Sequence, residues 1–282
     1  MAALLAACGG LPGTGDHAAE LDQAHAALDR WAAAVAEAGG DPKVVPVGEL
    51  TGQVGDWEPD VGSNNKIALM SGAFQVATTL PGSGPPVGDV QWADGTTTTV
   101  PLLSAQEAFL AMLTGPAGPC PDCQPIQLTG AVPATASIET TRGPATVPVW
   151  SFTIEGSAVN VTRVAIADPV TVVPPLWDPN HPPVGLAIDS AIGSASGTEL
   201  TAVFVGAPKP GDQPCGEDYT AEAVESDLAV VIIVTRHANP TLGGCSAEGA
   251  RRTATAELAA PLGERAVLEV QQGMPVPVAL AP

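Results

Sequence analysis

The sequence predicts a mainly β, α+β protein: an N-terminal amphipathic helix, an antiparallel α+β domain, then an immunoglobulin-like β-sandwich. Three observations lead there. After one long helical stripe, apolar residues recur in short runs bounded by Gly, Pro and Asx turn signals, which is the pattern of strands. A single later run, after Ser104, carries a helix-start signal. Residues 168–184 hold six prolines and divide the strands into two groups, as a semi-rigid spacer would.

Taken in order, residues 9–15 form a Gly/Pro tether, and residues 16–38 read as one helix. Asp16 is a good N-cap, Gly39-Gly40 and Pro42 stop it, and Leu21, Ala24, Leu28, Trp31 and Val35 form one stripe at spacings of three and four. Strands are expected at 44–47, 66–80, 87–92 and 96–102, with Ala93-Asp94-Gly95 as a hairpin turn. Ser104 caps a helix over 105–113, with Glu107 at the third position of a capping box. Further strands follow at 124–130, 134–140, 146–155 and 158–167. The helix-then-strands order of 104–167 resembles the small PepSY-type modules of envelope proteins.

Beyond the junction, strands are expected at 200–206, 219–225, 228–234, 252–258 and 265–270. The continuous apolar run 228–234 should be the central buried one. Regular spacing without helices is what suggests the immunoglobulin-like sandwich over 185–282, with 16–167 as the first domain.

Composition narrows the function classes. Ten basic residues against 30 acidic ones give a net charge of −20, which argues against nucleic-acid binding. The same imbalance argues against docking on anionic headgroups. No stretch after Cys8 approaches the roughly 18–20 apolar residues of a membrane span. With 4% aromatics, the core must be built mainly from Val, Leu, Ile and Ala.

Leu5-Ala6-Ala7-Cys8 followed by Gly9-Gly10 reads as a lipobox, with Cys8 as the residue that takes diacylglycerol. Residues 1–8 would be the remnant of a signal, because a working one needs a basic n-region and a longer apolar stretch. On this reading the chain is held by lipid on the extracytoplasmic face of a bacterial cell membrane, and an envelope protein is a candidate partner.

Across most of its length the chain resembles a group of uncharacterised actinobacterial lipoproteins. The resemblance is carried by Val90-Gln91-Trp92-Ala93-Asp94-Gly95, Cys120-Pro121-Asp122-Cys123, Arg142-Gly143-Pro144-Ala145, Trp177-Asp178-Pro179-Asn180 and the run from Asp218 to Ser226. It implies the same location and two-part layout, and it implies no activity.

Chemistry-bearing patterns are few. Four cysteines besides Cys8 allow three pairings; Cys120–Cys123 and Cys215–Cys245 are favoured because each pair then lies within one domain. Gly118-Pro119 before Cys120 and Gln124-Pro125 after Cys123 suit a loop, which favours a staple over a redox site, since reactive C-x-x-C pairs sit at a helix N-terminus. A four-cysteine zinc site lacks its second close pair.

Ser194-Ala195-Ser196 has alanine where a nucleophile elbow needs serine. Ser63-Asn64-Asn65-Lys66 fits S-x-x-K, yet Gly62 and the strand-like run after it suggest a loop, and the companion S-D-N and K-T-G motifs are absent. Asp56, Glu58 and Asp60 lack the spacing of a calcium loop. His17, His25, His181 and His237 form no ligand motif.

No catalytic residue, metal site or cofactor is therefore assigned. The leading expectation is a binding or scaffolding role. The alternatives are an extracytoplasmic enzyme with a site of dispersed residues, or a small-ligand sensor with Trp177, Asp178 and His181 lining a cleft at the junction.

Overall fold

The computed structural model describes residues 15–40, 42–60, 62–113, 115, 118–238 and 245–280. With 39% strand against 15% helix and three helices among the described residues, the protein is mainly β, and its sheets are largely antiparallel. The chain forms two compact units. One spans Glu37–Val170 and is called here the inserted unit; the other joins the N-terminal helix to Thr171–Pro282 and is called the sandwich unit. The expected division at 168–184 put that helix with the first strand set, whereas it groups with the second.

The reason lies in the helix stripe. In α1 (Gly15–Glu37), Ala24, Ala27, Leu28, Trp31, Ala34 and Val35 are buried at spacings of three and four. Polar contacts then choose the partner. The Gln23 amide donates to the carbonyls of Val184 (3.0 Å) and Val270 (2.7 Å) and accepts from the Val184 N–H. Arg30 donates to the Gln272 carbonyl at 3.2 Å. Gly273 lets the chain pass α1 closely: a Cβ there would stand 2.7 Å from that of Ala27.

In the inserted unit, β1 (Pro46–Val47), β2 (Thr51–Val54), β3 (Phe74–Val76), β4 (Val87–Trp92), β5 (Thr97–Pro101), β6 (Ile126–Thr140), β7 (Ala145–Ile154) and β8 (Asn160–Val164) form an eight-stranded sheet. At its middle, β7 pairs with β6, β4 and β8. It feeds two cores: Ala145, Val147 and Val149 enter one with Val90, Trp92 and Val100, while Trp150, Phe152 and Ile154 enter the other with α3. The β4–β5 turn is as expected, with Gly95 at φ 84° and Asp94 accepting from the Thr96 N–H at 2.8 Å. So is the capping box of α3 (Ala105–Met112): the Glu107 N–H donates to the Ser104 hydroxyl, and the Glu107 carboxylate accepts from the Ser104 N–H. The Ser104 N–H, and then the Ser104 hydroxyl, donate to the Glu107 carboxyl and hold it below its ordinary range.

Two strand expectations are corrected. Residues 66–80 are not one strand: α2 (Gly62–Met70) is followed by the short β3. The helix ends in a Schellman motif, with Ala73 N–H on the Ala68 carbonyl (2.8 Å), Gly72 N–H on the Leu69 carbonyl (3.2 Å), and Gly72 at φ 65°. The expected pair 124–130 and 134–140 is instead the single strand β6, with a register irregularity between Leu128 and Gly130. Proline is tolerated at Pro133 because β6 pairs there with β7 on one side, its contacts with β3 and β1 lying at its two ends.

In the sandwich unit, β9 (Ser190–Gly193), β10 (Glu199–Gly206), β13 (Ala250–Glu257) and β15 (Val278–Leu280) make a four-stranded sheet, ordered β13-β10-β9-β15. A three-stranded sheet follows the order β11-β12-β14, from β11 (Glu217–Glu225), β12 (Ala229–Ala238) and β14 (Ala266–Glu269). One core joins them, with Leu200, Ala202 and Phe204 from the first sheet and Val230, Ile232, Val234 and Val267 from the second. As expected, the apolar run lies in the central strand, and Ala229 to Val234 are all buried. The β9–β15 and β12–β14 pairs are parallel.

Candidate functional site

At one end of the sandwich unit, β10 leads out at Gly206 and returns as β11 at Glu217, while β12 leads out at Ala238 and returns as β13 at Ala250. The Cys215–Cys245 disulfide cross-links these two connections, with Cα atoms 5.7 Å apart. This is the expected bridge. Between the connections opens a cleft of about 690 Å³ whose lining includes Lys209, Tyr219, Arg236, Glu248 and both bridged cysteines.

The floor of the cleft is a tight polar cluster. The Tyr219 phenol donates to Glu217 Oε2 at 2.5 Å and accepts from the Ala207 N–H at 2.7 Å, while its ring packs edge-on against Phe204. The Arg252 guanidinium lies 5.2 Å over that ring and donates to the carbonyls of Ala207 (2.7 Å), Lys209 (3.3 Å) and Glu217 (3.4 Å). Burial, then hydrogen bonding to Glu217, pushes the Tyr219 phenol above its ordinary value, so it remains a neutral donor. Glycine is required where the chain crosses this cluster. A Cβ at Gly206 would meet the Tyr219 hydroxyl at 2.4 Å, and one at Gly216 would meet the Pro210 carbonyl at 1.7 Å.

Chemically, the cleft offers charge and hydrogen bonding. Its cysteines are locked in the bridge and its phenol is engaged on both sides. Arg236 is different: 63% exposed, it stands 3.8 Å from Glu217, a loose pair that an incoming anion could replace. Lys209, Arg236 and Arg252 are three of the chain's ten basic residues, gathered at one place in a strongly acidic protein.

The other expected sites fall elsewhere. Cys8 lies outside the described residues. Cys120 and Cys123 are free thiols, so the expected Cys120–Cys123 bridge is not formed. Their turn lets the Cys123 thiol donate to the Cys120 carbonyl at 3.4 Å. Asn64 on α2 holds the same loop, accepting from the Gln124 N–H (2.8 Å) and donating to its carbonyl (3.0 Å). Hydrogen bonding to the Cys120 side chain, helped by desolvation, pushes the Cys123 thiol up. Oxidised glutathione should close the pair and consume both thiols while barely moving the melting temperature, because the loop is too short to restrict the unfolded chain much. A shift of many degrees would contradict that.

Asp178 and His181 come together in one turn just after Trp177, with Asp178 Oδ2 2.8 Å from His181 Nδ1. Trp177 and His181 are exposed there, where a cleft lining was expected. Ser63 and Lys66 are on α2, not in the expected loop, and both are exposed. Glu58 clamps the β7–β8 turn, accepting from the Ser157 hydroxyl (2.7 Å) and the Ala158 N–H (3.0 Å), so it serves that turn rather than a cation. Among the described residues, no group of three or more His, Cys, Asp and Glu is placed to hold a metal ion. Likewise, no described helix is long and apolar enough to cross a membrane.

No protein-family model, curated protein or solved structure matches the chain. The cleft was missed in the sequence because Ala207, Glu217, Tyr219 and Arg236, and the Arg252 that braces them, form no local motif. The usable signal was the pair Cys215 and Cys245, which marks the two connections that build it.

Proposed function

We propose that the protein is a lipid-anchored, extracytoplasmic cell-envelope binding protein whose recognition surface is the cleft between the β10–β11 and β12–β13 connections. The observation that carries the reading is the preorganised loop end: a disulfide and a saturated Tyr219–Glu217–Arg252 cluster hold two loops around a cleft. Groups already held by a cross-link and by saturated hydrogen bonds lose little entropy on binding, which suits recognition. The immunoglobulin-like description belongs to this proposal as well. Seven strands in sheets of four and three around one core support it, while the two parallel pairs depart from the wholly antiparallel pattern.

The anchor rests on Leu5-Ala6-Ala7-Cys8, and a structural disulfide suits an oxidising compartment. Metabolic labelling with a fatty-acid probe, with a native upstream signal supplied, should mark the wild type and leave Cys8→Ser unmarked; equal labelling of both would end the anchor reading. For the cleft, small polyanions and envelope glycan fragments should raise the melting temperature of the wild type more than that of Arg236→Ala. Equal shifts would place recognition elsewhere.

A further inference from the structure

We propose that the proline-rich arm 173–178 is a membrane-contact element, with Leu176 and Trp177 seated in the interfacial region of the bilayer beside the acyl anchor. The proposal rests on the anchor reading above. It starts from exposure. Leu176 is 95% exposed, Val173 75% and Trp177 71%. By contrast Trp31, Trp92 and Trp150 are buried, and Trp57 packs against a core. Large apolar side chains held consecutively in water mark a contact surface. Tryptophan has a particular preference for the membrane–water interface, where its ring is half in apolar and half in polar surroundings.

The backbone suits that environment. A non-helical segment whose tip dips past the headgroups toward the acyl chains, where water is scarce, is favoured by having few amide hydrogens to satisfy. Pro174 and Pro175, just before Leu176, have none to satisfy, and neither has Pro179. The tip is also held. After Trp177 the chain closes a turn in which the His181 N–H donates to the Asp178 carbonyl (3.1 Å) and the Asn180 N–H to Asp178 Oδ1 (2.9 Å). Residues 169–185 contain no Lys or Arg in a chain of net charge −20, so contact must be apolar rather than by attraction to anionic headgroups.

Position commits the arm to a lipid surface. Its root is tied to α1, because Val184 exchanges two hydrogen bonds with the Gln23 amide. Gln23 is eight residues along α1 from Gly15, about 12 Å at 1.5 Å per residue. Between Cys8 and Gly15 the chain has seven residue steps, a reach of at most about 25 Å. Trp177 is likewise seven steps from Val184, with the same limit of about 25 Å. Anchor and arm thus leave α1 little more than two turns apart and can meet one bilayer.

The test uses the full chain carrying Cys120→Ser and Cys123→Ser, so that Cys8 is the reactive thiol. It is coupled through Cys8 to phosphatidylcholine vesicles bearing a maleimide-headgroup lipid, which supplies a tether whether or not a cell acylates that residue. Tryptophan fluorescence is compared on vesicles with brominated and unbrominated acyl chains. The expected result is quenching that disappears for the most part in Trp177→Phe and in Leu176→Ser with Trp177 kept. Both positions are exposed, so circular dichroism should show the fold intact. Absence of quenching, or quenching untouched by Trp177→Phe, overturns the arm, including the outcome in which a protein partner covers it. Failed fatty-acid labelling at Cys8 with Trp177 quenching retained would overturn the native anchor and leave the membrane contact standing.

Discussion

Reducing the Cys215–Cys245 bridge, or replacing both cysteines by serine, should destabilise the sandwich unit by about 3–4 kcal/mol, the loop-entropy value for a closed loop of this size. The residues are 30 apart, so the open chain regains much freedom. One opposing effect is smaller. Cys215 sits at φ 60°, a left-handed conformation that costs a non-glycine residue roughly 1–2 kcal/mol, and part of that strain is released when the bridge opens. The net loss should lower the melting temperature by roughly 5–15 °C in a unit of this size. Calorimetry of the full chain in a Cys120→Ser, Cys123→Ser background, with and without reductant, measures it. An unchanged melting temperature with two confirmed new thiols would show that the surrounding cluster, not the bridge, holds the loops. The same samples probe the cleft: if the bridge preorganises it, reduction should weaken any ligand that Arg236→Ala also weakens.

What could be read from the sequence was what neighbours in sequence decide. The run 228–234 has no polar interruption, so it had to be a buried strand; Ala229 to Val234 are that buried stretch of β12, while Leu228 stands exposed just before it. Ser104 and Glu107 satisfy each other's backbone, and Asp94-Gly95 makes its own turn, so both were legible. Placements decided at a distance were not. The α1 stripe announced a helix but not which unit it covers; that depends on Gln23 meeting Val184 and Val270, 161 and 247 residues away. For α2 the periodic signal was weak, since Gly62 and Ala68 are its fully buried positions. Its C-terminal signal, Ser71-Gly72, is also forced by packing: a Cβ at Gly72 would stand 2.5 Å from the Met112 carbonyl. The cleft was invisible for a similar reason. Its side chains come from three strands and two connections, and they converge only when those connections are brought together.

Arg265→Ala should cost about 3 kcal/mol, at the lower end of the range for removing one member of a buried ion pair, because both members keep some solvent contact. Arg265 is 11% exposed and Glu225 19%. Arg265 Nη1 donates to Glu225 Oε2 at 2.7 Å, Nη2 to the carbonyls of Ala260 (2.8 Å) and Pro261 (2.9 Å), and Nε to that of Leu262 (3.1 Å). Glu225 Oε1 in turn accepts from the Ala259 N–H at 2.7 Å. The pair therefore sews the end of β11 to the 258–265 connection after β13. Arg265→Lys should recover little, since one ammonium cannot span carbonyls arranged for a planar fork. Glu225→Gln should be milder, because an amide oxygen still accepts from Ala259. Desolvation pushes the Glu225 carboxyl up, but the bonds from Ala259 and Arg265 outweigh it and hold it below its ordinary value. A carboxyl lowered on folding contributes stability that is complete above its unfolded pKa and is lost as pH falls through the folded one. The gap between wild type and Arg265→Ala should accordingly narrow in acid. Denaturant unfolding at neutral pH and below the ordinary carboxylate range reads both effects. A neutral-pH cost under about 1 kcal/mol would demote the pair to a surface contact. A gap that stayed constant in acid would assign the stability to the bonds from Arg265 to the Ser226, Ala260, Pro261 and Leu262 carbonyls instead of the charges.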